Sequence, residues 1–265
     1  MKILYAAAEI SPFARLTNTA DLLRFLPASL QDKGFEIRIL LPKYGSINDR
    51  RNRLHEVIRL AGIEVTVDDK VESLKIKVAS IPNAKLQVYF LDNDTYFKRK
   101  ALFNDPKTDK PYADNAERLV FYNKGIIETI KRLGWIPDII HCHDWAAGLI
   151  PMLCKTVYKD ESNFSNTKVV YNLHNPISHG SFDDEIFRFL GVDDDFDRDS
   201  IKTEGLVDPI RAGLKYADHV VTGNDMRDEL STQFGDLGIE AEKIQGSPAD
   251  ISTKFAEYYK RISEV

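Results

Sequence analysis

Two continuous apolar runs near the start of the chain, KILYAAA (2–8) and EIRILLP (36–42), each read as a strand buried in a parallel sheet. Between them Leu22, Leu23, Leu26 and Leu30 recur at helical spacing. Asn18 or Thr19 can cap that helix, and Pro27 predicts a kink or restart inside it. Strand, helix, strand over some forty residues is a βαβ unit, and it commits the chain to a parallel sheet with helices crossing its faces.

The rest of the chain repeats this grammar. DIIHCH (138–143), KVVYNLH (168–174) and HVVTGN (219–224) read as further strands, and the stretch from Asn115 through Leu119, Ile126, Ile130 and Leu133 as a long helix. WAAGLIPMLCKTVY, PIRAGLKYA and DMRDELSTQF read as shorter helices. Residues 52–92 differ: LHEVIRLAGIEVTVDD, ESLKIKVASI and KLQVYFLDN alternate in polarity around turn-like DDK and PNAK, which predicts an appended β meander. The fold class that follows is α/β, one doubly wound, mostly parallel Rossmann-like domain over 1–246. Ser247 and Pro248 then open a last helix over 247–265. Its Ile251, Phe255, Tyr258 and Ile262 share one face, which predicts docking on the same domain.

Composition narrows the function classes. With 265 residues, 43% of them hydrophobic, the chain can bury a sizeable core. A net charge of −5 argues against an electrostatic nucleic-acid binder. The two cysteines suit a reducing cytoplasm, and the first apolar run is too short to span a membrane. The expectation is a cytoplasmic protein without membrane or nucleic-acid partners.

Ligands of such folds bind beyond the carboxyl ends of the strands. There HCHDW puts His141 and His143 on one side of a strand with Cys142 opposite, and Trp145 just after. An imidazole at the tip suits a sugar hydroxyl, and an indole suits a pyranose ring. Spacing alone favours the plainer alternative of satisfied structural histidines and a packing tryptophan. No carboxylate or cysteine set around them has metal-ligand spacing. His174 and Asn175 end the next strand, with His179 in the following loop. Asp114, before the long helix, reads by default as a cap.

MKILYAAAEISPFA, LLPKYGSI, VYFLDNDTYFKR, YADNAERLVFYNKG, PDIIHCHDWAAGLIP, VVYNLHN and RAGLKYADHVVT together resemble the N-terminal half of bacterial glycogen and plant-type starch synthases, in that family's order, from residue 1 to about 230. The resemblance implies one half of a two-domain GT-B fold, with ADP-glucose held mainly by the other half and glucan crossing this one. It makes His143 a contact to the transferred glucose and Asp114 a residue supporting the active site. It places Trp145 and Asn175 beside the cleft, and Arg15 where the family lysine holds the diphosphate. The two carboxyl-edge groups, His143 and Asp114, are expected to approach one depression. No cofactor or metal is implied.

The departures also carry expectations. The family's SPFAKTGGLADV reads SPFARLTNTADL here, so Thr17 and Asn18 stand where glycines let a backbone approach phosphate. YQG reads SHG at 178–180, and the turn SPTY reads GNDM at 223–226. The family then continues into a nucleotide-sugar domain, which the chain is expected to lack. It is thus expected to be inactive alone, with α-glucan as the ligand and weak or absent binding of ADP-glucose. A protein partner or a second copy would complete it. The alternatives are a non-catalytic glucan-binding or regulatory protein, and a structural interaction domain.

Overall fold

The computed structural model describes residues 1–264 apart from 83, 85, 101, 102, 106, 175–177, 225 and 227–229, and describes only the backbone at 231 and 232. β1 (Lys2–Ala6), α1 (Thr19–Asp32) and β2 (Glu36–Pro42) form the first βαβ unit. After α2 (Asp49–Asn52) come β3 (His55–Glu56), β4 (Ile63–Val67), β5 (Lys70–Ser80) and β6 (Gln87–Asp92). α3 (Asp94–Phe97) and α4 (Asn115–Leu133) lead to β7 (Ile139–His143), α5 (Leu149–Lys155) and β8 (Lys168–Leu173). α6 (Ile186–Leu190) and a small hairpin of β9 (Lys202–Thr203) and β10 (Leu206–Val207) precede α7 (Pro209–Tyr216) and β11 (His219–Thr222). α8 (Ser231–Leu237), β12 (Glu242–Lys243) and α9 (Pro248–Ser263) complete the chain.

The main sheet runs in the order β12-β11-β8-β7-β1-β2-β6-β5-β3, with β4 also on β5. It is parallel from β12 to β6. From β6 outward it is antiparallel, which is the meander. Strand order reverses between β1 and β7, the first leading to β2 on one side and the second to β8 on the other. Such a switch point opens a crevice beyond the strand ends.

Strand alternation divides the core into two layers. Leu4, Ala6 and Cys142 pack under α4, α5 and α7. Tyr5 and Ala7 pack under α1 and α9. α9 begins with Ser247 and Asp250 in a reciprocal capping box and Pro248 in its first turn. Ile251, Phe255, Tyr258 and Ile262 are all buried, and so is Tyr259. Its Ser252 hydroxyl meets that of Ser29 in α1 at 2.7 Å.

Several local expectations differ from the structure. α1 runs unbroken through Pro27, and its first amide is held by neither expected side chain: the Thr17 hydroxyl accepts from the Thr19 N–H at 3.0 Å. Residues 54–69 are broken by a 3-10 turn at Ile58–Leu60 and by Gly62 at φ +69°. The helix expected from Trp145 starts only at Leu149. A 3-10 turn covers Trp145–Ala147, and Gly148 passes so close to α7 that a Cβ there would meet the Pro209 carbonyl oxygen at 2.2 Å. Part of DMRDELSTQF lies outside the described residues, and α8 begins at Ser231.

Candidate functional site

A pocket of about 30 Å³ sits at the switch point, and Glu9, Thr17, Phe103, His143, Trp145 and His179 contribute to its lining. His143 closes β7, the strand beside β1, so the sheet carries its side chain to the edge of this pocket. The imidazole is nonetheless 2% exposed. It stacks on Tyr5 with centroids 5.2 Å apart, and the His174 ring lies edge to edge with it, nearly parallel, with centroids 5.3 Å apart. Its Nδ1 lies 3.2 Å from His174 Nε2, whereas its own Nε2 has no partner among the described residues. Burial, with the neighbouring His141 and His174, pulls its pKa well below the usual histidine value, so the ring is neutral. His174 is held down to about 4 by burial.

Behind this pair lies a second hydrogen-bonded line. The Tyr259 hydroxyl of α9 meets His141 Nδ1 at 2.5 Å and the Tyr5 hydroxyl at 2.8 Å. Asn172, the register partner of His143 on β8, is fully buried with neither side-chain atom paired among the described residues. Unpaired buried polar atoms are uncommon, and together these make the β7 and β8 tips a place for a polar ligand or water.

The residue after His143 is strained. Asp144 sits at φ +53°, a region that favours glycine, at a cost of about 1–3 kcal/mol. Its carboxylate accepts from the His174 N–H at 2.8 Å, and its carbonyl accepts from the Tyr171 hydroxyl at 3.1 Å. The bend therefore ties the two strand tips together. Trp145 follows, 1% exposed, donating its indole N–H to the Gly180 carbonyl at 2.9 Å. Phe103 and His179 both meet it at steep angles with centroids 5.4 Å away. The indole braces the pocket wall; it does not lie open as a stacking platform.

The loop after β1 is satisfied from within. Glu9, 6% exposed, accepts from Leu16 N–H at 2.6 Å, Thr17 N–H at 2.7 Å and the Thr17 hydroxyl at 2.6 Å. Arg15 points outward and pairs with Asp21 at 2.6 Å, and Asp21 also accepts from the Ser11 hydroxyl.

Asp114 stands at the N-cap position of α4 but makes no capping bond with its side chain. The expected cap is replaced by a bidentate pair with Arg99 at 2.5 and 2.7 Å, and that guanidinium lies over Tyr112. Arg99 is placed by Gly45, whose N–H donates to the Phe97 and Arg99 carbonyls; a Cβ there would meet the Lys98 carbonyl oxygen at 1.9 Å. The structure brings His143 and Trp145 to one pocket, while Asp114 lies outside its lining. Asn175 falls outside the described residues. Among the described residues no group of three or more histidine, cysteine or carboxylate side chains could hold a metal ion. Glu9 and the pairing of His174 with His143 were not anticipated. Placing the KVVYNLH strand next to DIIHCH would have suggested the second.

Comparison with known proteins places the sequence and the fold. The starch synthase catalytic domain, as a sequence family, matches residues 2–242. The glycogen synthase of Chlorobaculum tepidum is 45% identical over 240 residues, 88% of this chain and 49% of that protein. That of Chlorobium limicola is 44% identical over 221 residues, 83% of this chain and 45% of that protein. The catalytic domain of starch synthase IV from Arabidopsis thaliana, solved with ADP and acarbose, superposes with a TM-score of 0.76 at 21% identity over 92% of this chain and 51% of that one. The chain thus spans about half the length of the relatives it matches, and its fold is that of one half of a GT-B glycosyltransferase. No helix among the described residues is long and apolar enough to cross a membrane. By sequence and by fold, the chain belongs to the glycogen and starch synthase family.

Proposed function

We propose that this chain supplies one wall of an α-glucan synthase cleft in the cytoplasm, with His143 meeting the glucose unit at the point of transfer. We further propose that a polypeptide of these 265 residues holds glucan without transferring glucose. The observation that carries the reading is the buried, neutral imidazole at the switch point, with an unpaired Nε2 beside a pocket. A neutral ring can donate a hydrogen bond to a sugar hydroxyl without placing a cation against the positive charge that develops at the anomeric carbon. The pocket's 30 Å³ is far below the roughly 300–1,000 Å³ of a complete small-molecule site, which agrees with a wall whose opposite side comes from elsewhere.

Transfer from ADP-glucose also needs preorganised positive charge at the departing diphosphate. Here the amides of Leu16 and Thr17 are committed to Glu9, and Arg15 to Asp21. The same observation favours a second reading, a glucan-binding or regulatory protein with no catalytic step. Two measurements separate the readings: maltoheptaose binding, and transfer of labelled glucose from ADP-glucose to glycogen. The expected result is binding without transfer, with His143→Ala weakening binding at least tenfold while near-ultraviolet dichroism shows a folded core. Transfer above a heat-killed control, in proportion to protein, defeats the claim of inactivity. Absence of any glucan binding leaves a structural interaction domain.

A further inference from the structure

We infer that His174 is a positioning residue which fixes the tautomer of His143, and that Gly223 is present to make room for it. The inference rests on reading His143 as the sugar contact, but its geometry stands apart from that reading. The two imidazoles lie nearly parallel, 7° apart, with His143 Nδ1 and His174 Nε2 at 3.2 Å. Only one proton can sit between two neutral rings. It therefore belongs to one nitrogen, and that choice sets the free nitrogen of each ring.

The two possible arrangements differ in what His143 offers. If His143 Nδ1 carries the proton, its Nε2 is a bare acceptor. If His174 Nε2 carries it, His143 Nδ1 accepts and His143 Nε2–H becomes a donor at the pocket. Histidine intrinsically prefers its proton on Nε2, and only the second arrangement gives both rings that form. Burial keeps both rings neutral, so the shared proton is not blurred by a second one. His174 is also fixed in place. Its backbone N–H is held by the Asp144 carboxylate at 2.8 Å, and the residue is 5% exposed.

Gly223 closes the argument. It follows β11, the strand beside β8, and its N–H donates to the Leu173 carbonyl at 2.9 Å. A Cβ built on it would lie 2.6 Å from His174 Nδ1 and 3.4 Å from that residue's Cα. The nearest obstruction is the ring itself, so any side chain at 223 turns the imidazole away from His143. The backbone of one strand thus holds the ring that sets the proton of another.

Long-range proton–nitrogen correlation spectra of the ligand-free protein test this directly, because they assign the protonated nitrogen of each ring. The expected wild-type result is His143 with its proton on Nε2 and a bare Nδ1. His174→Phe, which keeps a flat ring, and Gly223→Ala should each leave His143 as a mixture of tautomers, while His174→Gln, which retains a donor, should restore a single form. Maltoheptaose affinity should fall about fivefold in His174→Phe and Gly223→Ala. A wild-type His143 protonated on Nδ1, or a tautomer unmoved by either variant, overturns the inference. Should one variant fail to fold, the other and the wild-type spectrum still decide. A tautomer that changes without any change in affinity sustains the positioning role and removes instead the reading of His143 as the sugar contact.

Discussion

The loop that follows β1 and the residues that close β7 share one sheet edge but use their polar groups in opposite ways. In the loop, Glu9 gathers two amides and a hydroxyl, and Arg15 and Asp21 pair with each other. At the β7 tip, His143 Nε2 and both side-chain atoms of Asn172 find no partner among the described residues although they are buried. A buried polar group left unpaired costs about 1–3 kcal/mol, which the fold accepts at the tip and avoids in the loop. The loop is self-contained, and the tip leaves polar atoms open to a ligand or to water.

The largest test removes what supports the tip. Deleting 247–265 strips α9 from the sheet, together with the Tyr259 hydroxyl that meets His141. Burying Ile251, Phe255, Tyr258, Tyr259 and Ile262 contributes roughly 1.5–3 kcal/mol each before entropy, comparable with the whole stability of a typical domain. The expected outcome is an insoluble or largely unfolded product. A soluble product melting at the parent temperature would show that the tip stands without α9.

Acid is the next lever. The folded pKa of His174, about 4, lies below its unfolded value near 6.5, so the unfolded chain binds the proton first. Stability is therefore complete above about pH 6.5 and is lost as the pH falls toward 4, by up to about 3 kcal/mol from this ring. His141 and His143 act in the same direction. Urea unfolding at pH 7 and pH 5 should show the loss, and His174→Phe should flatten it. An unchanged slope would mean that the rings are not held neutral.

Breaking the self-contained side should cost somewhat less. Glu9→Ala removes three short bonds to a carboxylate and is expected to destabilise by on the order of 2–3 kcal/mol. It also frees two amides, so inorganic pyrophosphate should raise the melting temperature of the variant and not that of the parent. If pyrophosphate stabilises both equally, the loop is not filled by Glu9. The smallest effect belongs to Arg15→Ala, an exposed pair expected to change stability by less than about 0.5 kcal/mol. A loss of several degrees in its melt would show that the loop depends on the pair.

The contrast explains what could be read from residues alone. Continuous apolar runs marked β1, β2, β7 and β8 because parallel strands are buried on both faces. Period-two alternation put His141 and His143 on one side, and the 3.6 period gave the buried face of α9. The partners were out of reach. Arg99 binds Asp114 from a loop with no periodicity, and Gly45 fixes it through contacts fifty residues away. Glu9 appears in the sequence as one more acid, and only the folded turn carries Leu16 and Thr17 onto it. His174 meets His143 because β7 and β8 are neighbours, a fact of topology rather than of pattern.

The line from Tyr5 through Tyr259 to His141 has a mechanical side as well. The Ser263 hydroxyl lies 3.5 Å from the Met1 sulfur, so the two ends of the described chain meet at one place beside β1. Tension applied at those ends need not cross the sheet before it does harm. It peels α9 away from its last turn, and the Tyr259 contact with His141 lies barely a turn inside the end of that helix. A pull on the tail is therefore felt at the histidines before it is felt by the strands.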